Sequence, residues 1–356
     1  MPLEKVHLEN FRLFKNKVLS FSNGTNLILG ENGSGKTSIL EAINILLSGN
    51  SFRAKDTKEC IKLDKDFFLI AGKGMLGDKL LSLKVNNGLN SRLKSSRILE
   101  DSAISKDKTY FLQLVVAKNL KMIDGEPDLR REYFNELMFH VKPETKRIYT
   151  NYQKALKHRN KCLKNKVPES ELLLWTDEVS KAGLELSLQQ YEFFKIFKEN
   201  ITDYIKAVTE SGVFTFLDGL DLRFTKGWER TKKLEESLEE SLLKDKVLGY
   251  SSKGPHRMDI TFKVHNKMAS SNLSRGQLKI LILLVFLSNI TLIENYANKE
   301  VLLLIDDLSS ELDLKNLTSI IEKIVATNKQ IILTGIEGEE IHQSIKDLTN
   351  FTQINL

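Results

Sequence analysis

One segment constrains this chain more than any other. Gly30-Glu31-Asn32-Gly33-Ser34-Gly35-Lys36-Thr37 satisfies G-x-x-x-x-G-K-[ST] at every fixed position. The glycines let the backbone turn so that its N–H groups face a phosphate, and the helix that follows adds its positive N-terminal end. Such a loop works only between a strand and a helix. Both are predicted: Asn26 to Leu29 is a short apolar strand, and Ser38 to Leu47 places Ile39, Leu40, Ile43, Leu46 and Leu47 at helical spacing. The loop through Ser38 is therefore expected to hold a nucleoside triphosphate. Lys36 would reach the β- and γ-phosphates, and the Thr37 hydroxyl would ligate Mg²⁺.

A phosphate loop needs an acidic residue at the end of a neighbouring strand. Val301 to Ile305 followed by Asp306-Asp307 supplies it. Asp306 is expected to act on the metal and Asp307 to orient or deprotonate the attacking water. Leu273-Ser274-Arg275-Gly276-Gln277, 29 residues before Asp306 when counted from Gln277, resembles the signature of ABC-class ATPases. In that class the signature of one subunit caps the nucleotide of another, which implies a head-to-tail homodimer closed by two ATPs. Ser310 to Asp313 resembles the D-loop that crosses such an interface.

The rest of the chain fits an α/β ATPase head with a mixed sheet, interrupted by a mainly helical insertion. Strand patterns occupy the first 30 residues, 67–88, 258–264, 301–305 and 330–334, with an apolar helix at 277–293. From Leu129 to Leu248 glycine is rare and apolar positions recur at three and four, as at Tyr149, Tyr152, Leu156 and Leu163. The expected domains are 1–128 and 249–356, forming the head, and 129–248, the insertion. No heptad run of several turns is visible, so a long coiled-coil arm is not expected. Cys60 and Cys162 have no CxxC partner. With a charged N-terminus and no apolar run near membrane-span length, they favour a cytoplasmic protein.

Strings outside the ABC motifs narrow the likeness. Leu8-Glu-Asn-Phe-Arg12, Arg130-Arg131-Glu-Tyr-Phe134, Leu156-Lys157-His-Arg159-Asn160 and Gly254-Pro-His-Arg257 follow one another in order. With the loop, signature and acidic pair, they resemble the RecF family, bacterial recombination mediators within the SMC/RecF group of ABC-class ATPases. The resemblance implies that Gln113 is the Q-loop glutamine, sensing metal and γ-phosphate. It leaves Arg12 either touching the phosphates or lying solvated in its loop. His256 and Arg257 either line the site or, preferably, tie a strand end into the fold. It also implies RecR and RecO as partners and a role in loading the RecA recombinase at gaps in DNA.

Two departures from fast ABC motors point to slow hydrolysis: Asp307 stands where a glutamate is usual, and Thr334-Gly335-Ile336 offers no switch histidine. Residues 142–166 carry nine Lys/Arg against Glu144 alone, a local +8 that exceeds the whole-chain +6. That is the footprint of a phosphate-backbone contact. Lys154, Lys157, Arg159, Lys161 and Lys164 are the candidate DNA-binding residues, for duplex, gapped or junction DNA read without much sequence preference. No nuclease metal cluster is evident, so cutting is not expected. A transporter subunit is disfavoured because Lys36 and Ser274 lie 238 residues apart. A general SMC-like structural head would need a longer insertion. A small-molecule kinase leaves the signature and the basic segment unexplained.

Overall fold

The computed structural model describes residues 3–100, 102–104, 111–125, 127–297, 299–336, 338, 344 and 351–356. It divides into two compact units, Met1–Lys118 with Asn298–Leu356, and Asn119–Ala297. In chain order the first unit opens with β1 (Lys5–Phe11), β2 (Phe14–Ser20), β3 (Thr25–Gly30), α1 (Lys36–Ser48), β4 (Phe67–Leu76), β5 (Lys79–Gly88), β6 (Lys94–Leu99), β7 (Ser102–Ala103) and β8 (Phe111–Val115). Next come α2 (Ala117–Asp124), α3 (Pro127–Val141), α4 (Thr145–Asn165), α5 (Glu169–Glu210), β9 (Leu220–Thr225), α6 (Leu234–Glu240) and α7 (Leu242–Leu248). The second unit ends with β10 (Asp259–Val264), β11 (Lys267–Met268), α8 (Ala269–Asn272) and α9 (Arg275–Ala297). The chain then returns to the first unit with β12 (Val301–Ile305), α10 (Leu314–Val325), β13 (Gln330–Ile336) and β14 (Phe351–Asn355).

The first unit keeps its two kinds of strand pairing apart. One sheet is antiparallel, in the order β2-β1-β4-β5-β6-β7, and the other is parallel, in the order β14-β3-β13-β12-β8. Strands β3 and β12 are buried at every position, as parallel strands covered on both faces must be. Helix α1 packs against strands of both sheets, which is why Ile39, Leu40, Ile43, Ile45 and Leu46 are all withdrawn from water. Register decides where chemistry can occur: Ile305 lies opposite Val115 and Leu333, and Ile336 opposite Gly30. The C-terminal ends of β3, β8, β12 and β13 therefore share one edge, where parallel sheets present their ligand sites.

The second unit is larger than the expected 129–248. It begins at Asn119 and retains 249–297, so the segment 273–277 belongs to it. The physical reason is α9, whose residues are buried almost continuously from Leu278 to Ile293 and which packs on α3 and α5. This helix is long and apolar enough to cross a membrane, yet it is mostly buried within the unit, as a central core helix is. Helix α5 has 42 residues, or ~63 Å, far longer than the sequence pattern suggests. It pairs along α4 and also packs on α6, α9 and β9, so its apolar stripe is covered within the unit. Strand β9 lies outside the expected strand patterns; it pairs antiparallel with β10, Thr225 opposite Asp259.

Candidate nucleotide-binding site

The loop from Gly30 to Thr37 joins β3 to α1 at the shared edge. Gly33 and Gly35 have φ of 88° and 102°, a region that side chains rarely enter, and Gly35 caps the helix. A Cβ on Gly35 would also stand 2.6 Å from Phe14 Cζ and 2.8 Å from Leu13 Cδ2. Lys36 folds back and donates from Nζ to Gly30 O (2.6 Å) and Glu31 O (2.8 Å). These are contacts that a phosphate can replace. Glu31, Asn32 and Gly33 are exposed, Ser34 is half-buried, and Ser38 is buried in the first turn of α1.

Asp306 and Thr37 meet across two strands. Thr37 Oγ1 donates to Asp306 Oδ1 at 3.0 Å, and Thr334 Oγ1 donates to the same oxygen at 2.8 Å. Thr334 Oγ1 also accepts from Asp307 N at 2.8 Å, while Leu308 N donates to Thr334 O at 2.9 Å. One hydroxyl on β13 thus ties the Asp306 carboxylate and the Asp307 backbone N–H. Sequence reasoning sees in 334–336 only the missing histidine and passes over this role; the signal is a lone hydroxyl in the buried run Gln330-Ile-Ile-Leu-Thr334. Asp307 is exposed, with φ of 54°. Ser310 Oγ donates to Asp307 O at 3.3 Å, and Asp313 caps α10 by accepting from Asn316 N. Thr37 and Asp306 are a hard oxygen donor pair, the kind that suits Mg²⁺.

Gln113 does not stand where a Q-loop residue is expected. It is 2% exposed inside β8, opposite Leu303, two positions before the strand ends at Val115 beside Asp306. Alternation along β8 turns it inward with Phe111 and Val115. Of the residues just past that strand end, Lys118 is exposed.

The Arg12 guanidinium is bound into the fold and is not turned to the phosphate loop. Its Nε and Nη2 donate to Glu41 Oε2 and Oε1 at 2.8 and 2.7 Å, and Nη1 donates to Glu59 O at 2.9 Å. Glu41 is fully buried, and also accepts from Ser51 Oγ at 2.5 Å. Burial pushes the Glu41 carboxyl up, but the hydrogen bonds from Arg12 and Ser51 outweigh it and hold the group below its ordinary range. The same hydrogen bond raises Arg12. Burial, reinforced by the Glu41 charge, pushes the neighbouring Cys60 thiol up to about 12.

In the second unit Ser274 caps α9. Ser274 N donates to Gln277 Oε1 (2.9 Å) and Gln277 N to Ser274 Oγ (3.3 Å), a reciprocal capping box. Ser274 and Arg275 are exposed and Gly276 half-buried, so this helix tip is open to a partner. The family strings are structural ties. Arg130 donates twice to Asp259 (2.7 and 2.9 Å) and to the carbonyls of Met122 and Gly125. Tyr152 and His256 share a 2.6 Å hydrogen bond, and His256 Nε2 faces Ser251 O at 3.0 Å. Burial lowers His256 to about 4.

The basic segment separates into two faces of α4. Lys154, Lys157, Lys161 and Lys164 are exposed at three- and four-residue spacing, and none forms an ion pair among the described residues. Arg159 lies on the opposite face and is fully buried. It pairs with Asp245 at 2.8 Å and donates to Ser251 Oγ (2.6 Å) and Thr176 Oγ1 (3.0 Å). It is a core residue and not a DNA contact, because a guanidinium with no exposed atom cannot reach a phosphate.

A parallel sheet whose edge gathers the phosphate loop, the Thr37–Asp306 pair and Asp307 defines an ABC-type P-loop ATPase head. The family model "RecF/RecN/SMC N terminal domain" matches residues 2–355. The chain is 31% identical over 350 residues to a DNA replication and repair protein RecF of Teredinibacter turnerae, covering 96% of this chain and 90% of that protein. It is 31% identical over 348 residues to RecF of Pseudoalteromonas atlantica, covering 96% and 94%. It shares its fold with the recombination mediator protein RecF solved with ATP, described as acting in the RecFOR pathway (TM-score 0.76, 22% identity, 95% and 92% covered). An Smc head bound to ScpA matches more loosely (TM-score 0.53, 17% identity, 97% and 92% covered). The chain belongs to the RecF family of the SMC/RecF group of ABC-type ATPases.

Proposed function

We propose that the chain is an ATP-dependent DNA clamp of recombinational repair. The observation that carries this reading is the shared edge of the parallel sheet, where Lys36 rests on displaceable carbonyls and Thr37 meets Asp306 at 3.0 Å. Lys36 leaves Gly30 and Glu31 for the β- and γ-phosphates of ATP, and the loop N–H groups complete the cradle. Thr37 and Asp306 would hold Mg²⁺, which when bound would supply neutralisation of phosphate charge. Asp307, ordered through Thr334, orients the attacking water. Its side chain is one methylene shorter than the usual glutamate, so turnover stays below about one per second, the low end of enzyme rates.

Ser274, Arg275, Gly276 and Gln277 of a second copy close over the γ-phosphate, aided by the N-terminal end of α9. Ser310 and Asp313 line the same interface. The exposed lysines of α4 hold the backbone of duplex, gapped or junction DNA, and hydrolysis reopens the dimer and releases it. The relatives' names, a DNA replication and repair protein RecF and a recombination mediator of the RecFOR pathway, support a role in DNA replication and repair; to this we add a cytoplasmic setting, RecR and RecO as partners and help in bringing RecA onto gaps. The experiment is fluorescence anisotropy on gapped duplex DNA with ATP or ADP. ATP should tighten binding for wild type and not for Lys36→Ala; equal affinity in both nucleotides contradicts the clamp.

A further inference from the structure

A carboxylate with no exposed surface sits in the middle of the apolar helix α1, five residues after Lys36. An ion there costs desolvation, and an apolar residue of similar size would pack without it. What the charge provides is direction. Glu41 receives both arms of the Arg12 fork, at 2.8 and 2.7 Å, a geometry that fixes orientation as well as distance. Arg12 occupies the turn between β1 and β2 with φ of 52°, where a non-glycine residue is strained. Its amide is tied to Cys60 O (2.8 Å), and Lys62 Nζ donates to the next carbonyl, Leu13 O, at 2.8 Å. The residues that follow Arg12 in this turn are Leu13 and Phe14, the two that crowd Gly35 of the phosphate loop. The contacts close a ring: Gly35 starts α1, α1 carries Glu41, Glu41 holds Arg12, and the turn behind Arg12 presses back on Gly35.

We infer that Glu41 is a positioning residue for the nucleotide, which acts through Arg12 to clamp the β1–β2 turn onto the phosphate loop. The inference rests on the nucleotide-site reading above. A loop held before binding spends less of its interaction energy on ordering itself, so loosening the ring lowers affinity. Glu41→Gln keeps the volume but can no longer accept both N–H groups of the fork.

The test is calorimetric titration of Mg-ATP into wild type, Glu41→Gln, Glu41→Asp, Arg12→Gln and the Glu41→Gln/Arg12→Gln double variant, with thermal unfolding of each. Glu41→Gln should weaken ATP binding by about tenfold, the range of one charge-assisted hydrogen bond. Glu41→Asp should recover part of that loss. The double variant should bind no more weakly than the weaker single variant, because both changes break one link. Losses that multiply in the double variant overturn the inference. So does a Glu41→Gln protein that melts earlier but binds ATP as well as wild type, or more tightly. Should Glu41→Gln fail to fold, Arg12→Gln, at a partly exposed side chain, carries the test; unchanged ATP affinity there overturns the inference. A wild type that binds no ATP overturns the nucleotide reading and this inference together, whereas binding by wild type and Glu41→Gln alike overturns this inference alone.

Discussion

Two polar networks in this molecule are built to opposite ends. At the sheet edge of the first unit, Lys36 sits on loop carbonyls and Thr37 on Asp306, all partly open to solvent. In the second unit, Arg159, Asp245, Ser251 and Thr176 bond one another in a place with almost no exposed surface. The first network is provisional: a ligand can take over each contact at little desolvation cost. The second is sealed from solvent, and removing Arg159 or Asp245 leaves a charge buried without its counterpart. Charged residues in a motif therefore divide by burial into those that wait for a ligand and those that hold the fold.

The contrast is open to direct attack. Arg159→Ala should cost about 3–5 kcal/mol of stability, since it strands Asp245, and denaturant unfolding would show it. A loss within about 1 kcal/mol would mean that the buried pair is not closed. Lys36→Ala should do the reverse, weakening ATP binding by about 100-fold in titration while leaving the unfolding midpoint nearly in place. Reversing Lys157, Lys161 and Lys164 to Glu should weaken DNA binding and make its log–log salt dependence shallower by about 2.7, or about 0.9 for each phosphate no longer neutralised. An unchanged slope would move the DNA interface off α4. His256 sharpens the comparison through pH. Its ring is held near 4 by burial, against 6.5 in an open chain, so the unfolded chain takes up the proton first. Stability is full above pH 6.5 and falls as pH drops toward 4, and His256→Gln should flatten that limb in pH-dependent melting. Smallest is Gln277→Ala, which removes half of the α9 capping box and should cost about 1 kcal/mol.

Legibility in the sequence follows the same division. Lys36, Thr37 and Asp306 can be read because fixed spacing and backbone chemistry demand them, and the structure gathers them at one edge. Arg159 is misread as a DNA contact because a run of positive charge hides its phase. Counted against the apolar stripe Tyr152, Leu156 and Leu163, residue 159 falls on the buried face, so the periodicity already contradicts the charge reading. Gln113 fails in the same way on a strand, where the period is two and its neighbours Phe111 and Val115 face inward. Ser274-x-x-Gln277 resembles a signature and also forms a capping box, a second meaning that its spacing before an apolar run already spells out. The length of α5 is not legible, because packing on α4 and α9, and not local propensity, sustains a helix of that span. Thr334 and Glu41 pass for polar interruptions of apolar segments, which is where a buried hydrogen-bond hub has to appear.

In the proposed clamp, ATP joins two copies through the Lys36 loop of one and the Ser274 tip of the other. Light scattering coupled to gel filtration tests this most directly, on wild type and Asp307→Asn. A mass of about twice the 40.7 kDa chain mass is expected in ATP and a mass near that of one chain in ADP, with the Asp307→Asn dimer outlasting that of wild type. A single-chain mass in saturating ATP for both proteins would contradict the account.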